Sequence, residues 1–357
     1  MPVLCLFIGE IQAGFAQQLP IKPARIISFT TDEGSNMNVD ISPDGRTLLF
    51  DLLGDLYTLP VTGGTATQIT RGMAINLRPV WSPDGKRIAY ISDYSGSLRL
   101  NVRDIHGKFH LVLGKSDSDQ VNYYNFISPV WTSDGNSIAL DDKLYGLSGG
   151  SATSLDGNIH PIEFSANGKF IYYRDSGKVC QYDRVNNIKK AISASVIKQF
   201  ESDALSPDAN WRAYIAESNK KRCLVLQDLK NNTDRVVVPS LYVKYPFYPI
   251  AIHSHFAFSP DSKRLFIAYG GKIHAIDVKT GGDVIIPFTA HVKADVGALD
   301  YNTFLVPSDS VEIRYTRSAK ASPDGKHLVF SALNKLYVMD LPKGKPHILV
   351  NKPVNQF

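Results

Sequence analysis

Along most of this chain, short apolar runs alternate with polar turns, and outside the N-terminus no helical period persists beyond two turns. The stretch "SPDGRTLLFDLLGDLYTLPVTGGTATQIT", Ser42 to Thr70, carries the pattern in full. A Ser-Pro-Asp-Gly turn leads to an apolar run, a tight hairpin, a second run and a Gly-Gly turn. Such a stretch predicts consecutive antiparallel strands.

The unit recurs. Equivalent turns begin at Ser82, Thr132, Ser165, Ser206, Ser259 and Ser322, so the seven copies start 33 to 63 residues apart. The residue before each turn is Ile41, Trp81, Trp131, Phe164, Leu205, Phe258 or Ala321, a wholly apolar column. In the turn, proline presets φ, aspartate bonds nearby backbone N–H groups, and glycine accepts the last position without strain. Later segments such as "KVCQYD", "KIHAID" and "KLYVMD" supply a third strand, and Asn-Asn or Gly-Gly turns lead to a fourth. Four antiparallel strands per unit at this period predict an all-β fold, a β-propeller of about seven (six to seven) four-stranded blades. "RIISF" (Arg25–Phe29) is a candidate closing strand for the last blade. The last unit already owns "PHILV", however, so the ring either closes with a strand to spare or is incomplete.

The Ser-Pro-Asp-Gly turn followed by Leu-Tyr-x-Leu/Met and Gly-Gly resembles the repeats of TolB-type propellers, which are similar in style to WD repeats. The resemblance covers about residues 25–351. Residues 27–64, Tyr269–Val292 and Ser322–Pro346 further resemble the N-terminal propeller region of exported amidohydrolase-family proteins, where a metal-dependent barrel follows. No such barrel is present in this sequence. The organisation read from the chain is a signal peptide at 1–16, a lead-in at 17–36, the propeller at 37–351 and a tail at 352–357.

Composition narrows the picture. The 357 residues are 43% hydrophobic and 20% charged, with a net charge of +5 and no block of like charges, which excludes a dedicated nucleic-acid surface. The opening "MPVLCLFIGEIQAGFA" is apolar and ends in a small-x-small pattern, as an export signal does. It is too short to span a membrane. The chain is therefore expected in the periplasm or otherwise exported to the bacterial envelope. Of three cysteines, Cys180 and Cys223 fall on equivalent strands of neighbouring units, out of register, and are expected to be free packed thiols.

Candidate chemistry is sparse. His253-Ser254-His255 opens a strand and lacks the further ligands a metal needs. "GLSGG" (Gly146–Gly150) matches a nucleophile motif in letters, but a hairpin follows it where a helix is required. The turn aspartates Asp44, Asp84, Asp134, Asp208, Asp261 and Asp324 are equivalent across repeats, hence structural. No catalytic residue, metal site or cofactor is expected.

A ligand would meet polar residues just ahead of the turns, at the channel mouth: Asn38, Arg78, Glu201, His255 and Arg317. Pro287–Glu312, the longest departure from the period, reads as a docking surface, including for a missing catalytic domain. The expected function is a non-catalytic propeller binding a protein or peptide. The alternative is the propeller portion of an amidohydrolase-type hydrolase.

Overall fold

Each turn builds itself the same way. At the second, Ser82 Oγ donates to Asp84 Oδ1 at 2.6 Å and accepts the Arg87 N–H at 2.9 Å, while Asp84 Oδ1 accepts the Lys86 N–H at 3.0 Å. Gly85 holds φ 67°, in the left-handed region that glycine enters without cost. The hydroxyl-to-turn bond recurs at Ser42, Thr132, Ser165, Ser206, Ser259 and Ser322, with Asn167 standing in for aspartate in the fourth copy. These bonds hold the turn aspartates below the ordinary carboxylate range; at Asp44 the Ser42 hydroxyl is the largest cause. The turn aspartates are structural.

A computed structural model of the chain describes residues 23–107, 109–114, 121, 128–149, 151–155, 159–193, 202–218, 221–241, 255–297, 313, 315–333 and 335–350. Residues 1–16 and 352–357, read above as signal and tail, lie outside them. No helix occurs among the described residues, and none is long and apolar enough to cross a membrane.

Every repeat forms a four-stranded antiparallel sheet whose strands follow chain order. In the first blade these are Val39–Ile41, Thr47–Leu52, Asp55–Pro60 and Gly64–Gln68. The innermost strands of the next five blades are Asn76–Trp81, Val130–Trp131, His160–Phe164, Asp203–Leu205 and Ala257–Phe258. Cys180 and Cys223 are free and buried, on blades four and five.

The chain divides into two units, Met1–Ala298 and Leu299–Phe357. In the first, six blades pack in sequence and the sixth meets the first. Leu49 and Leu56 of blade one pack on Ile88 and Tyr90 of blade two. Ala89 and Val102 share a core with Ile138 of blade three, and Ala139 with Ile171 of blade four. Arg174 of blade four bonds Asp203 of blade five, and Ala213 and Leu224 of blade five join Phe258 and Leu265 of blade six. The cycle closes through a core that unites Val39, Phe50 and Tyr57 with Phe266, Ile273 and Ile286.

A further strand, Phe288–Val296, seals that junction. Leaving blade six, it pairs in parallel with Gly64–Ala66 on the outer edge of blade one. Arg25–Thr31 then pairs antiparallel along it, from Arg25 with Val296 to Thr31 with Ala290. The candidate closing strand thus lies on the first blade, not in the last. Likewise, Phe288–Val296, expected within a docking excursion, is structural: Phe288, Ala290 and Val292 are at most 4% exposed in the closing core. Residues 298–312 of that excursion lie outside the described set.

The seventh repeat forms the sheet of the second unit, with strands Arg317–Ala321, His327–Ala332, Lys335–Asp340 and His347–Val350. It keeps the turn and the strand order. Its innermost strand is exposed throughout, where its counterparts in the first unit are buried or half-buried.

Candidate functional site

The innermost strands of the six blades surround a cavity of about 410 Å³. Its rim is the turn motif itself. The second turn residue of every blade lines it: Pro43, Pro83, Ser133, Ala166, Pro207 and Pro260. Repetition of one short motif therefore builds one opening.

Deeper in, the residues two places before each turn face one another. They are Asp40, Val80, Val130, Glu163, Ala204 and Ala257. Four are apolar, and the two acids stand on blades one and four, opposite each other in a six-bladed cycle. Asp40 Oδ2 accepts the Trp81 N–H at 2.6 Å, and Glu163 Oε1 accepts the Phe164 N–H at 3.1 Å. Burial pushes the Asp40 carboxyl up to about 7, against the pull of the Trp81 and Ile41 N–H groups. Burial likewise pushes Glu163 up to about 8, with the Asp40 charge adding to it. Asp203, which also lines the cavity, is compensated: its oxygens pair with Arg174 Nε at 2.6 Å and Arg212 Nη2 at 3.0 Å.

Three of the residues expected at the mouth come together around Asp51. The Asp51 carboxylate accepts Asn38 N–H and Asn38 Nδ2, each at 2.6 Å, and the Arg78 N–H at 2.9 Å. Asn38 Oδ1 accepts the His255 N–H at 2.8 Å, and the Val39 N–H donates to the His255 carbonyl at 3.0 Å. Burial, aided by the nearby Arg78 charge, lowers His255 to about 4, so its ring is neutral. Burial also draws Arg78 down to about 10, opposed by Asp51. Asn38 and Asp51 are 6% and 3% exposed. This geometry is that of a latch between blades one, two and six. His255 also lines the cavity, whereas Asn38 and Arg78 do not. Glu201 and His253 lie outside the described residues, and Arg317 belongs to the second unit.

Asp51 belongs to a pattern. It is the fifth residue after the turn's own five, and at that position blade three has Asp141 and blade four Arg174. Asp141 Oδ1 lies 2.6 Å from His160 Nδ1 of blade four, and Arg174 reaches Asp203 of blade five. One polar position in an apolar strand thus ties three blades to the innermost strand of the next.

Ser148 sits in the hairpin after Lys143–Gly146, with no helix following. No group of three His, Cys, Asp or Glu able to hold a metal occurs among the described residues.

No family model matches the sequence. Among solved structures, the chain is similar to TolB from Acinetobacter baumannii, with 16% identity and a TM-score of 0.52, over 71% of this chain and 65% of that one. It is also similar to the tricorn protease, with 17% identity and a TM-score of 0.52, over 90% of this chain and 32% of that one. The chain thus spans less than two thirds of either protein. At such identities the likeness is one of fold, a TolB-like β-propeller.

Proposed function

We propose that the chain is a non-catalytic, exported binding propeller that takes a peptide or a protein segment at the mouth of its channel. One observation carries the reading: all six blades of the first unit converge on a single cavity, rimmed by six turn residues of which all but Ser133 are exposed. A concave site lined mostly by apolar groups, with a few placed polar ones, is the usual form of a binding pocket. The inner polar groups are carboxyls and a neutral imidazole that lack the nucleophile–base pairing of a hydrolase. The TolB-like fold supports a protein or peptide as the partner. A second reading, that the propeller serves a larger hydrolase, is favoured by the tricorn protease likeness, in which a chain of this length matches 32% of an enzyme.

Selection of displayed peptides on the intact chain tests the first reading. Enriched peptides are expected to lose binding when the exposed rim residue is changed, Ala166→Trp, and to keep it with Lys189→Ala on the outermost strand of the same blade. Absence of enrichment, or binding indifferent to Ala166→Trp, would overturn it.

A further inference from the structure

The channel carries an unmet demand for positive charge. The ionisable groups among its described lining residues are Asp40, Glu163, Asp203, His255 and the Tyr172 phenol, and no Lys or Arg is among them. Asp203 is satisfied from behind by Arg174 and Arg212, and His255 is neutral. Among the described residues, neither Asp40 nor Glu163 has an ion-pair partner, and each accepts backbone N–H groups only.

Beyond the backbone N–H groups they accept, the two carboxyls meet no compensating charge in the fold. At their register the other four blades present Val80, Val130, Ala204 and Ala257, which shows that the inner strand is built equally well with small apolar side chains. Taking a carboxyl out of water is costly unless a cation joins it. The raised proton affinity of both groups expresses that cost.

We infer that the channel reads a lysine side chain of its peptide partner, with the ammonium held between Asp40 and Glu163. The inference rests on the peptide-binding reading above and adds the identity of the residue recognised. Ammonium fits better than guanidinium, because its three rotatable donors can reach carboxylates on opposite walls, whereas a planar fork engages one carboxylate face. The apolar wall between rim and acids, which includes Ile41, Trp81, Trp131 and Phe164, suits the four-carbon stem.

Both tryptophans line the cavity, so their fluorescence reports occupancy. The probes are acetyl-Gly-Gly-Lys-Gly-Gly-amide, its norleucine counterpart, and 1,5-diaminopentane, titrated into the full chain. The lysine peptide is expected to bind about tenfold or more tightly than the norleucine one, as the loss of charged hydrogen bonds implies. Asp40→Asn and Glu163→Gln, isosteric changes checked for a retained thermal transition, are each expected to erase that preference. Equal binding of the two peptides, or a preference that survives both substitutions, overturns the assignment while leaving the peptide-binding reading standing. Tighter binding of the diamine than of the lysine peptide overturns the peptide source and makes the ligand a free amine. Binding of none of the three at millimolar concentration overturns the assignment as well, and the peptide reading then stands or falls on the Ala166→Trp experiment.

Discussion

Asn38 donates twice to Asp51, through its backbone N–H and its side-chain amide, and both bonds are 2.6 Å long. The same Asn38 accepts from the backbone of His255, so a single side chain joins blade one to blade six. Asn38→Ala removes one donor to Asp51 and orphans the His255 N–H inside the junction. The expected loss is about 2–3 kcal/mol of stability, from buried polar groups left without partners. Urea denaturation checks it; a midpoint unchanged from wild type would show that the apolar core of this junction holds the blades without the latch.

The strand Phe288–Val296 is expected to hold the ring shut more than any single hydrogen bond. Phe288 packs on Phe50 with ring centroids 5.5 Å apart and is 4% exposed. Phe288→Ala leaves a cavity between the first and sixth blades, with a cost of about 3–5 kcal/mol. Val284→Ala, on the exposed face of the strand before it, is expected to change stability by less than about 0.5 kcal/mol. Equal effects of the two would contradict the closing role of this strand.

Ala209 occupies the glycine position of the fifth turn at φ 56°, where a Cβ is strained. Ala209→Gly is therefore expected to stabilise the protein by about 1 kcal/mol, the cost of a left-handed non-glycine residue offset in part by glycine's freedom in the unfolded chain. Gly85→Ala, the reverse change in the second turn, should destabilise by a similar amount. A pair of shifts with the same sign would refute the strain argument.

The architecture was legible because each turn repeats its chemistry locally. A Ser or Thr hydroxyl and an Asp or Asn oxygen at fixed places make the same three bonds in each blade, and no distant residue is needed to read them. The closing of the ring was not legible. Phe288–Val296 has no Ser-Pro-Asp-Gly turn before it, and its pairing with Gly64–Ala66 spans more than half the chain. Nor did spacing locate the channel acids. Sequence reasoning placed the site four to six residues before the turns, where a column of mostly polar residues starts the innermost strands. A bulge between Leu77 and Val80, with Arg78 at φ 54°, and another between Pro161 and Glu163 break the alternation of faces along those strands. The extended register facing the channel begins closer to the turn, at Asp40 and Glu163. A usable signal existed: in the first six repeats those two acids interrupt an otherwise apolar column, as Asp51 interrupts "TLLFDL".

The channel groups also contribute to the pH dependence of stability. Asp40 and Glu163, near 7 and 8 in the folded chain, keep protons that the unfolded chain releases around 3.8 and 4.5. Between those limits the folded state binds more protons, so their contribution makes stability fall as pH rises from about 4 to about 8. His255 acts in the opposite sense. Its ordinary value of 6.5 is lowered to about 4, the folded state binds fewer protons in that window, and stability rises with pH across it. The two trends oppose each other below about 6.5, and only the carboxyl trend remains above. Glu163→Gln is accordingly expected to raise the melting temperature at pH 8 and to leave it nearly unchanged at pH 4, where both states hold the proton. His255→Asn removes the one opposing trend and should steepen the fall between about pH 4 and 6.5 without altering the slope above it. Melting curves of the three proteins across this range decide the matter: a Glu163→Gln profile parallel to wild type at every pH would mean that the Glu163 carboxyl is solvated, and the channel would lose its claim to a buried acid pair.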